Sequence, residues 1–407
     1  MEHDTDILIV GGGLNGPALA LALAQGGMRV MVVDARPAPD RAKAGFDGRA
    51  YALAIASKRL LTAIAVWPAI AAKVQPILQI KASDGRAGEG AAPFFLNFDH
   101  AEIEEGPMGF MAEDRHLYAA FLDAMATAGI ALLSGETVVA QETEMQGASV
   151  TLASGRRLSA RLLVGCDGRT SATAQRAGIG RTGWDYGQTA LVTAVDHDLP
   201  HHGIAHQFFM PAGPLAILPL PGNRSSIVWS ETKANAAAIQ ALSDPDYLTA
   251  LRPRFGDFLG AIRLAGARFT YPLSLTLANS FVAPRLALVG DAAHGVHPIA
   301  GQGLNLGLRD VGALAQVVIE AARRGEDIGA LDVLERYQRW RRFDTTTLAL
   351  GMDSVNRLFS NDNPLLRLGR DLGMGAVNAL PALRRGFMRQ AAGFQGDLPR
   401  LLQGQPI

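Results

Sequence analysis

The chain has 407 residues, enough for two domains or for one large discontinuous domain. It carries 38 basic and 38 acidic residues, and this zero net charge argues against nucleic acid or another polyanion as a partner. The only cysteine, Cys166, excludes an internal disulfide framework and a Cys-x-x-Cys redox pair.

The N-terminus reaches an apolar strand at Ile7–Val10 after a short polar lead, a pattern without a signal peptide. The longest apolar stretches are interrupted before the roughly 20 residues that a membrane-spanning helix needs. The sequence therefore predicts a cytoplasmic protein, and it leaves open a peripheral contact at the inner face of the membrane.

Residues 6–34 are predicted to form a strand, a glycine-rich turn, a helix and a second strand. The turn contains Gly11, Gly13 and Gly16, so that the backbone can approach a pyrophosphate at the positive end of the helix dipole. Asp34 ends the second strand about twenty residues later, where a carboxylate accepts hydrogen bonds from ribose hydroxyls. The pattern predicts a bound dinucleotide, and both FAD and NAD satisfy it.

Further along the chain, residues 49–75 are expected to be helical and residues 76–110 to form short strands. A helix is expected from Arg115 to about Ala128, followed by three strands and a turn at Asp167.

Residues 186–275 alternate apolar and polar side chains, which predicts a separate antiparallel sheet with a helical insert near 234–260. No carboxylate–histidine spacing organises its histidines into a metal site; they are His197, His201, His202 and His206. Residues 308–347 and the tail from 351 are predicted to be helical.

A second glycine-rich turn distinguishes FAD from NAD. An apolar strand ends at Gly290 and Asp291, and a new helix then opens at a turn. The turn and helix start comprise Gly301, Gln302, Gly303, Leu304 and Asn305. Asp291 either caps a helix at Ala292 or accepts hydrogen bonds from the ribityl hydroxyls of FAD. The helix N-terminus would stabilise the anion of reduced flavin. A nicotinamide enzyme needs no second distant turn of this kind, so the sequence favours FAD.

Two further assignments stay open near this turn. Asp167 either caps the helix that follows it or borders the approach to the flavin. His294 and His297 are candidate acid–base groups because histidine titrates near neutrality, or they are turn residues bonded to the backbone. His297 is the stronger catalytic candidate, together with Pro298, because the pair lies beside the expected flavin face.

Three segments, in this order and spacing, resemble the FAD-dependent aromatic hydroxylases, the class A flavoprotein monooxygenases. They are the N-terminal glycine turn, VGCDGRTS and VGDAAHGVHPIAGQGLNLGLRDV. Within that class, HPIAGQGLNLGLRDV and the tail MDSVNRLFSNDNPLLRLGRDLGMGAVNALP resemble the hydroxylases of ubiquinone biosynthesis. The resemblance covers essentially the whole chain.

The predicted fold class is α/β. It comprises a Rossmann-like FAD-binding domain of the glutathione-reductase type, an inserted antiparallel β-sheet substrate domain and a C-terminal helical segment. The FAD-binding domain is expected to comprise residues 1–75, 100–185 and 272–350, the substrate domain 76–99 and 186–271, and the helical region 351–407.

The resemblance also implies roles for individual residues. Gly11, Gly13 and Gly16 would face the FAD pyrophosphate and Asp34 the adenosine ribose. Arg49 would lie near the flavin ring, and Arg115 on the pyrophosphate side. The remaining expected cofactor contacts are Asp167, Gly290, Asp291, Gly301, Gln302, Gly303, Leu304 and Asn305.

The implied activity is hydroxylation of the aromatic ring of a polyprenylated phenol through a flavin C4a-hydroperoxide. Dioxygen would be the oxidant, and NAD(P)H or an electron-transfer protein the electron donor. The expected substrate wall comprises Phe209, Met210, Leu215, Ile217 and Tyr271. Alternatives on the same fold are an isoprenoid epoxidase or reductase and a non-catalytic prenyl-binding protein.

The C-terminal sequence also indicates a contact with a partner other than the substrate. A basic amphipathic stretch near the C-terminus carries four apolar residues beside three arginines: Leu380, Leu383, Phe387 and Met388, and Arg384, Arg385 and Arg389. It would lie on an anionic membrane, on the flavin domain or on another subunit. A homo-oligomer and an assembly with other quinone-biosynthesis enzymes both remain open.

Overall fold

The computed structural model describes residues 3–38, 45–88, 90–103, 106–297, 301–360, 364–394 and 396–407. In chain order, the strands are β1 (Thr5–Val10), β2 (Val30–Asp34), β3 (Ala50–Leu53), β4 (Gln75–Ile77), β5 (Gln79–Arg86), β6 (Gly90–Asp99), β7 (Gly109–Glu113), β8 (Ala131–Ser134), β9 (Val138–Glu144), β10 (Gly147–Leu152), β11 (Arg157–Gly165), β12 (Arg181–His197), β13 (Ile204–Met210), β14 (Gly213–Leu220), β15 (Arg224–Thr232), β16 (Ile262–Leu264), β17 (Phe269–Ala278), β18 (Val282–Ala283), β19 (Leu286–Leu288) and β20 (His294–Gly295). The α-helices are α1 (Asn15–Gln25), α2 (Ile55–Ala63), α3 (Trp67–Ile70), α4 (Asp114–Thr127), α5 (Ala172–Arg176), α6 (Lys233–Gln240), α7 (Asp244–Phe255), α8 (Gln302–Arg323), α9 (Leu331–Phe359), α10 (Pro364–Ala379) and α11 (Pro381–Ala391).

The first sheet is built around parallel strands in the order β19-β11-β1-β2-β8. Strands β9 and β10 extend β11 as an antiparallel meander, and β18 pairs antiparallel with β19. The central strand β1 is buried on both faces, so Ile7-Leu8-Ile9 is a continuous apolar run rather than an alternating one. The carboxyl ends of β1, β11 and β19 meet at one edge of this sheet, where a ligand site is expected.

The second sheet has the order β20-β17-β12-β15-β14-β13-β5-β6, with β16 alongside β12. Its neighbours are antiparallel except for the parallel pair β13 and β5. One face packs on α6 and α7 through a core that includes Trp229, Tyr247 and Leu251. The other face lines the cavity described below.

A third, small sheet has the order β3-β7-β4. The sequence prediction of a helix over 49–75 is therefore wrong at its start, because residues 50–53 form strand β3. This strand pairs antiparallel with β7, more than fifty residues away. Such a long-range partner leaves no trace in local periodicity, whereas α2 and α3 follow as predicted.

The predicted fold class is confirmed: a mixed α/β fold combines a parallel sheet, an antiparallel sheet and C-terminal helices. The division into domains stays a prediction, and β12 and β17 extend beyond the expected limits at 186 and 271. Within the described chain, no single helix is long and apolar enough to cross a membrane. The bent pair Ile55–Ala63 and Trp67–Lys73 meets that test by length and composition only.

Candidate flavin site and adjoining cavity

A cavity of 1520 Å³ begins at the carboxyl edge of the first sheet and continues between the second sheet and helices α9, α10 and α11. The glycine turn before α1, strand β3 and the start of α8 line its first part. The predicted cofactor residues found in this lining are Gly13, Arg49, Asp291, Gly301, Gln302, Gly303, Leu304 and Asn305.

The first glycine turn is tight because other backbone atoms occupy the places of its missing side chains. Gly11 has a φ of 112°, and a Cβ there would collide with the carbonyl of Cys166. A Cβ on Gly16 would collide with the carbonyl of Gly11. A Cβ on Gly12 would lie 2.6 Å from Oδ2 of Asp34, so the acid at the end of β2 lies directly beside the turn. Sequence and geometry agree on a nucleotide cradle.

Two helices present their N-termini to this region. Among the described residues, neither α1 nor α8 has a capping hydrogen bond from a side chain or an acidic residue in its first turn. Gly301 adopts the left-handed conformation before α8, and a Cβ there would lie 2.9 Å from that of Ala52. Gly303 faces open space among the described residues, none of which places an atom within 4 Å of an added Cβ. Both helix ends can therefore bind anionic or electron-rich ligand atoms.

Asn305 holds the α8 start against β3. Its Oδ1 accepts hydrogen bonds from Ala54 N at 2.8 Å and Ser57 Oγ at 2.7 Å, and its Nδ2 donates to Ala52 O at 2.9 Å. The side chain is therefore used for positioning. Asn15 differs, since its buried Oδ1 has no hydrogen-bond partner among the described residues and the residue lines the cavity.

Asp291 lies at the cavity surface and is about two-fifths exposed. Its Oδ2 lies 3.3 Å from Nε of Arg169. Arg181 fixes the same turn by donating to the carbonyl oxygens of Asp291 at 3.1 Å and Ala292 at 2.6 Å. Among the described residues, no side chain makes a capping hydrogen bond to the short 3₁₀ turn Gly290–Ala292, so Asp291 does not act as its cap. Its placement fits a ligand contact better than the capping alternative.

Behind this turn lies a fully buried charge network. Asp310 accepts hydrogen bonds from Nε2 of His294 at 2.5 Å, Nε of Arg341 at 2.8 Å and Gly290 N at 3.0 Å. Burial alone would raise the pKa of Asp310, but the charges of His294 and Arg341 outweigh it and lower that pKa. His294 is thus a structural partner of Asp310 and not a group exposed to substrate.

His297 is 1% exposed, and neither ring nitrogen has a hydrogen-bond partner within the described residues. Burial lowers the pKa of His297 to about 4, and the positive charge of Arg169 adds to the effect, so the ring is neutral at pH 7. It packs edge-on against Tyr186 at 5.2 Å and is not part of the cavity lining. Its predicted acid–base role is not supported by this position. Pro298 lies outside the described residues.

The two predicted arginines differ in their position relative to the cavity. Arg49 lines the cavity and pairs with Asp47 at 2.7 Å and with Asp114 at 3.3 Å. Arg115 instead pairs with Glu113 at 2.6 Å and is absent from the lining. Its expected reach to the pyrophosphate stays a prediction.

Asp167 is turned toward the helix that follows it. Its Oδ2 accepts from Thr173 N at 2.9 Å and its Oδ1 from Ser171 Oγ at 2.5 Å, at the start of α5. The geometry supports the helix-capping alternative, and neighbouring Gly168 and Arg169 are the residues that reach the cavity.

The five residues of the predicted substrate wall lie on two faces of the second sheet. Phe209 and Tyr271 line the cavity. Met210, Leu215 and Ile217 point to the opposite face, into the core beneath α6 and α7. Successive side chains of a strand alternate between faces, and periodicity alone does not say which face a helix covers.

The main lining that sequence reasoning missed is the C-terminal helical cover. On α10 the lining residues Arg370, Gly373, Met374 and Val377 follow the spacing i, i+3, i+4, i+7, which is one helix face. The tail was predicted as helical, and this spacing is the signal that could have identified an inward face. Within the described part of the chain, no group of three or more His, Cys, Asp or Glu residues could hold a metal ion.

The residues fit FAD. In the part of the chain that the structure describes, two helix N-termini lack a side-chain cap, the glycines pack closely, Gly303 faces open space and Oδ1 of Asn15 has no partner. These features together make a site for a long ligand with phosphates and a polar ring.

The chain matches the model of the FAD binding domain family over residues 4–345. It is 46% identical to the ubiquinone hydroxylase UbiL of Rhodospirillum rubrum, over 99% of this chain and 93% of that protein. It is 36% identical to the 3-demethoxyubiquinol 3-hydroxylase of Escherichia coli, over 96% and 99%. The p-nitrophenol 4-monooxygenase PnpA of Pseudomonas putida has the same fold, with a TM-score of 0.81 at 18% identity over 97% and 99% of the two chains. The chain belongs to the FAD-binding-domain family and, within it, to the FAD-dependent hydroxylases of ubiquinone biosynthesis.

Proposed function

We propose that this protein hydroxylates the aromatic ring of a polyprenylated phenol, an intermediate of ubiquinone biosynthesis. The observation that carries the proposal is the continuity of the cavity from the α8 glycine turn to an apolar space under the C-terminal helices. A flavin ring at one end and an isoprenoid substrate at the other would share this one space. The names of the relatives from Rhodospirillum rubrum and Escherichia coli support the same substrate class.

FAD, when bound, supplies the chemistry of accepting hydride and activating dioxygen. The chain's own residues bind and orient the cofactor and the substrate, and they exclude water. The N–H groups of Gln302, Gly303 and Leu304 would hold the polar edge of the flavin ring, where negative charge develops on reduction. Asp291 would hold ribityl hydroxyls, and Tyr271 and Phe209 would form the apolar surface against which the phenol ring lies.

We also propose a cytoplasmic enzyme that touches the membrane with helix α11. Leu380 at the N-cap of this helix and Leu383 and Phe387 within it are each about half exposed, and Arg385 and Arg389 also lie on it. Apolar side chains next to arginines are suited to the surface of an anionic bilayer, where the polyprenylated substrate dissolves.

This contact is testable by flotation with anionic liposomes. The double variant Leu380→Asp, Leu383→Asp should lose most of its flotation, whereas Met145→Asp, at an exposed apolar residue between β9 and β10, should keep it. Equal flotation of the two proteins would contradict the membrane contact.

The substrate proposal is tested in cells. Deleting the gene and measuring quinone intermediates by mass spectrometry should reveal a prenylated species that lacks one ring oxygen. Restoring the gene should remove that species. A normal quinone pool in the deletion strain would overturn the proposal.

A further inference from the structure

We propose that Arg309 is a positioning residue that fastens the terminal segment to helix α8, and that this segment retains FAD in its site. The terminal segment comprises residues 392–394 and 396–407, which follow α11. Gly396 of this segment and Arg309 line the same cavity as the α8 glycine turn. Retention of FAD is a property of the cofactor site and is the same for every substrate.

The terminal segment returns from α11 to the core of the first sheet. Leu401 and Leu402 are at most 1% exposed and belong to that core. A Cβ on Gly312 of α8 would lie 2.5 Å from Cδ1 of Leu402, so this helix has a glycine where the segment crosses it. Arg400 N also donates to Gln316 Oε1 at 3.0 Å. The segment is therefore anchored along α8, the helix whose N-terminus faces the flavin site.

The start of the terminal segment contributes to the cap of α2. The first N–H groups of a helix have no partner within the helix. Ala392 O accepts a hydrogen bond from Ala56 N at 3.2 Å, in the first turn of α2. At the same helix end, Asn305 of α8 accepts from Ala54 N and Ser57 Oγ. The N-terminus of α2 is thus shared by the terminal segment and by the residue that holds the α8 start.

Arg309 joins the terminal segment directly to α8. It lies four residues after Asn305, about one turn further along this helix. Its Nη2 donates to Gly393 O at 2.8 Å, and its Nη1 lies 2.8 Å from Oδ2 of Asp344 on α9. A guanidinium can hold two acceptors in a fixed geometry because its donors lie in one plane. Arg309 therefore places the backbone of the terminal segment beside the start of α8.

Gly393 allows the terminal segment to approach this closely. It has a φ of 86°, in the left-handed region that favours glycine. A Cβ there would lie 3.0 Å from Cβ of Ala56 and 3.8 Å from Nη2 of Arg309. A side chain at this position would therefore strain the backbone and displace Gly393 O from the guanidinium.

The guanidinium contact also joins the buried charge network described above. Oδ2 of Asp344 accepts from Nη1 of Arg341 at 2.7 Å, and Arg341 donates to Asp310. Asp310 in turn accepts from Gly290 N. Polar contacts of 3.0 Å or less thus run from the Gly290 turn to Gly393. Release of the terminal segment would loosen both turns of the flavin site and speed the loss of FAD.

The decisive variants remove the two sides of the contact between Arg309 and Gly393. Arg309→Met deletes the donors but leaves Asp344 paired with Arg341, so the carboxylate keeps a partner. Gly393→Ala strains the left-handed backbone that carries the acceptor.

Two controls repeat these chemical changes away from the contact. Arg324→Met removes an arginine that follows α8 and is about half exposed. Gly325→Ala places alanine at a φ of 73° outside the terminal segment. FAD release from diluted holoenzymes is followed by ultrafiltration and absorbance. Trypsin cleavage after Arg400, followed by mass spectrometry, reports whether the terminal segment stays docked.

Arg309→Met and Gly393→Ala should each release FAD about tenfold faster than wild type, because a hydrogen bond from a charged donor is lost. Cleavage after Arg400 should accelerate in both variants. The double variant should release FAD no faster than the more affected single variant, because both changes break one contact. Arg324→Met and Gly325→Ala should stay within about twofold of wild type in both measurements.

FAD release at the wild-type rate from either single variant would overturn the proposed role of Arg309. The same conclusion would follow if the acceleration in the double variant equals the product of the two single effects, since the changes would then act at separate contacts. Equally fast cleavage throughout the chain would indicate general unfolding and would also contradict a positioning role. FAD release is measured without substrate, so each of these outcomes is independent of the proposed hydroxylation.

Discussion

Replacing Asp310 by asparagine removes the charge at the centre of the buried network behind the flavin turn. In the folded protein this carboxylate accepts from His294, Arg341 and Gly290 N, and neither it nor His294 is exposed. Breaking such a pair leaves an uncompensated buried charge and costs about 3–5 kcal/mol. For a chain of this length, the unfolding entropy converts that loss to a fall in Tm of about 4–6 °C.

The control for this prediction is Glu142→Gln, the same chemical change in an exposed ion pair. Glu142 lies 2.6 Å from Arg157, but both side chains are at least 60% exposed, so the expected fall is about 1 °C or less. Thermal unfolding followed by circular dichroism with saturating FAD measures both variants. If the Tm values of Asp310→Asn and Glu142→Gln lie within about 1 °C of each other, the buried network does not contribute the stability assigned to it.

Three further predictions concern the site. Gly303→Leu should yield a folded protein that purifies colourless, because the side chain occupies the expected flavin space, whereas Gly386→Leu should stay yellow; a yellow Gly303→Leu would refute the placement. Phe209 and Met210 are each 7% exposed, so both alanine variants should lose about 2–5 kcal/mol of stability, but only Phe209→Ala should raise KM for the phenol; a rise in KM for Met210→Ala alone would contradict the assignment of faces. Because burial lowers the pKa of His297 to about 4, its contribution to stability is complete above about pH 6.5 and is lost as the pH falls toward 4. In urea titrations, the free energy of unfolding should therefore fall less between pH 6.5 and pH 4 for His297→Leu than for wild type, by about 3 kcal/mol. The same pH dependence in both proteins would refute the lowered pKa of His297.

Local patterns predicted the parts of the site that depend on local chemistry. Gly11 and Gly16 leave room for a close backbone turn, Asp34 ends its strand, and Gly301 precedes a helix, all of which are visible in neighbouring residues. Helical periodicity likewise predicted that residues beyond 351 are helical.

What sequence reasoning missed depends on contacts between distant segments. Strand β3 exists because it pairs with β7, and Met210 points away from the cavity because α6 and α7 cover that face of the sheet. The helical cover over the cavity forms because α10 lies on β5 and β6. The contact of Arg370 on α10 with Asp84 on β5 joins these distant segments, and no local pattern predicts it.

The source of the new ring oxygen is the most direct test of the proposed hydroxylation. Purified holoenzyme, a reduced nicotinamide or electron-transfer partner, a prenylated phenol and isotopically labelled dioxygen are combined, and the product is analysed by mass spectrometry. A flavin-dependent ring hydroxylase should give a ring-hydroxylated product that carries one labelled oxygen atom derived from dioxygen. Unmodified phenol with release of hydrogen peroxide only, or a product whose new oxygen comes from water, would contradict it.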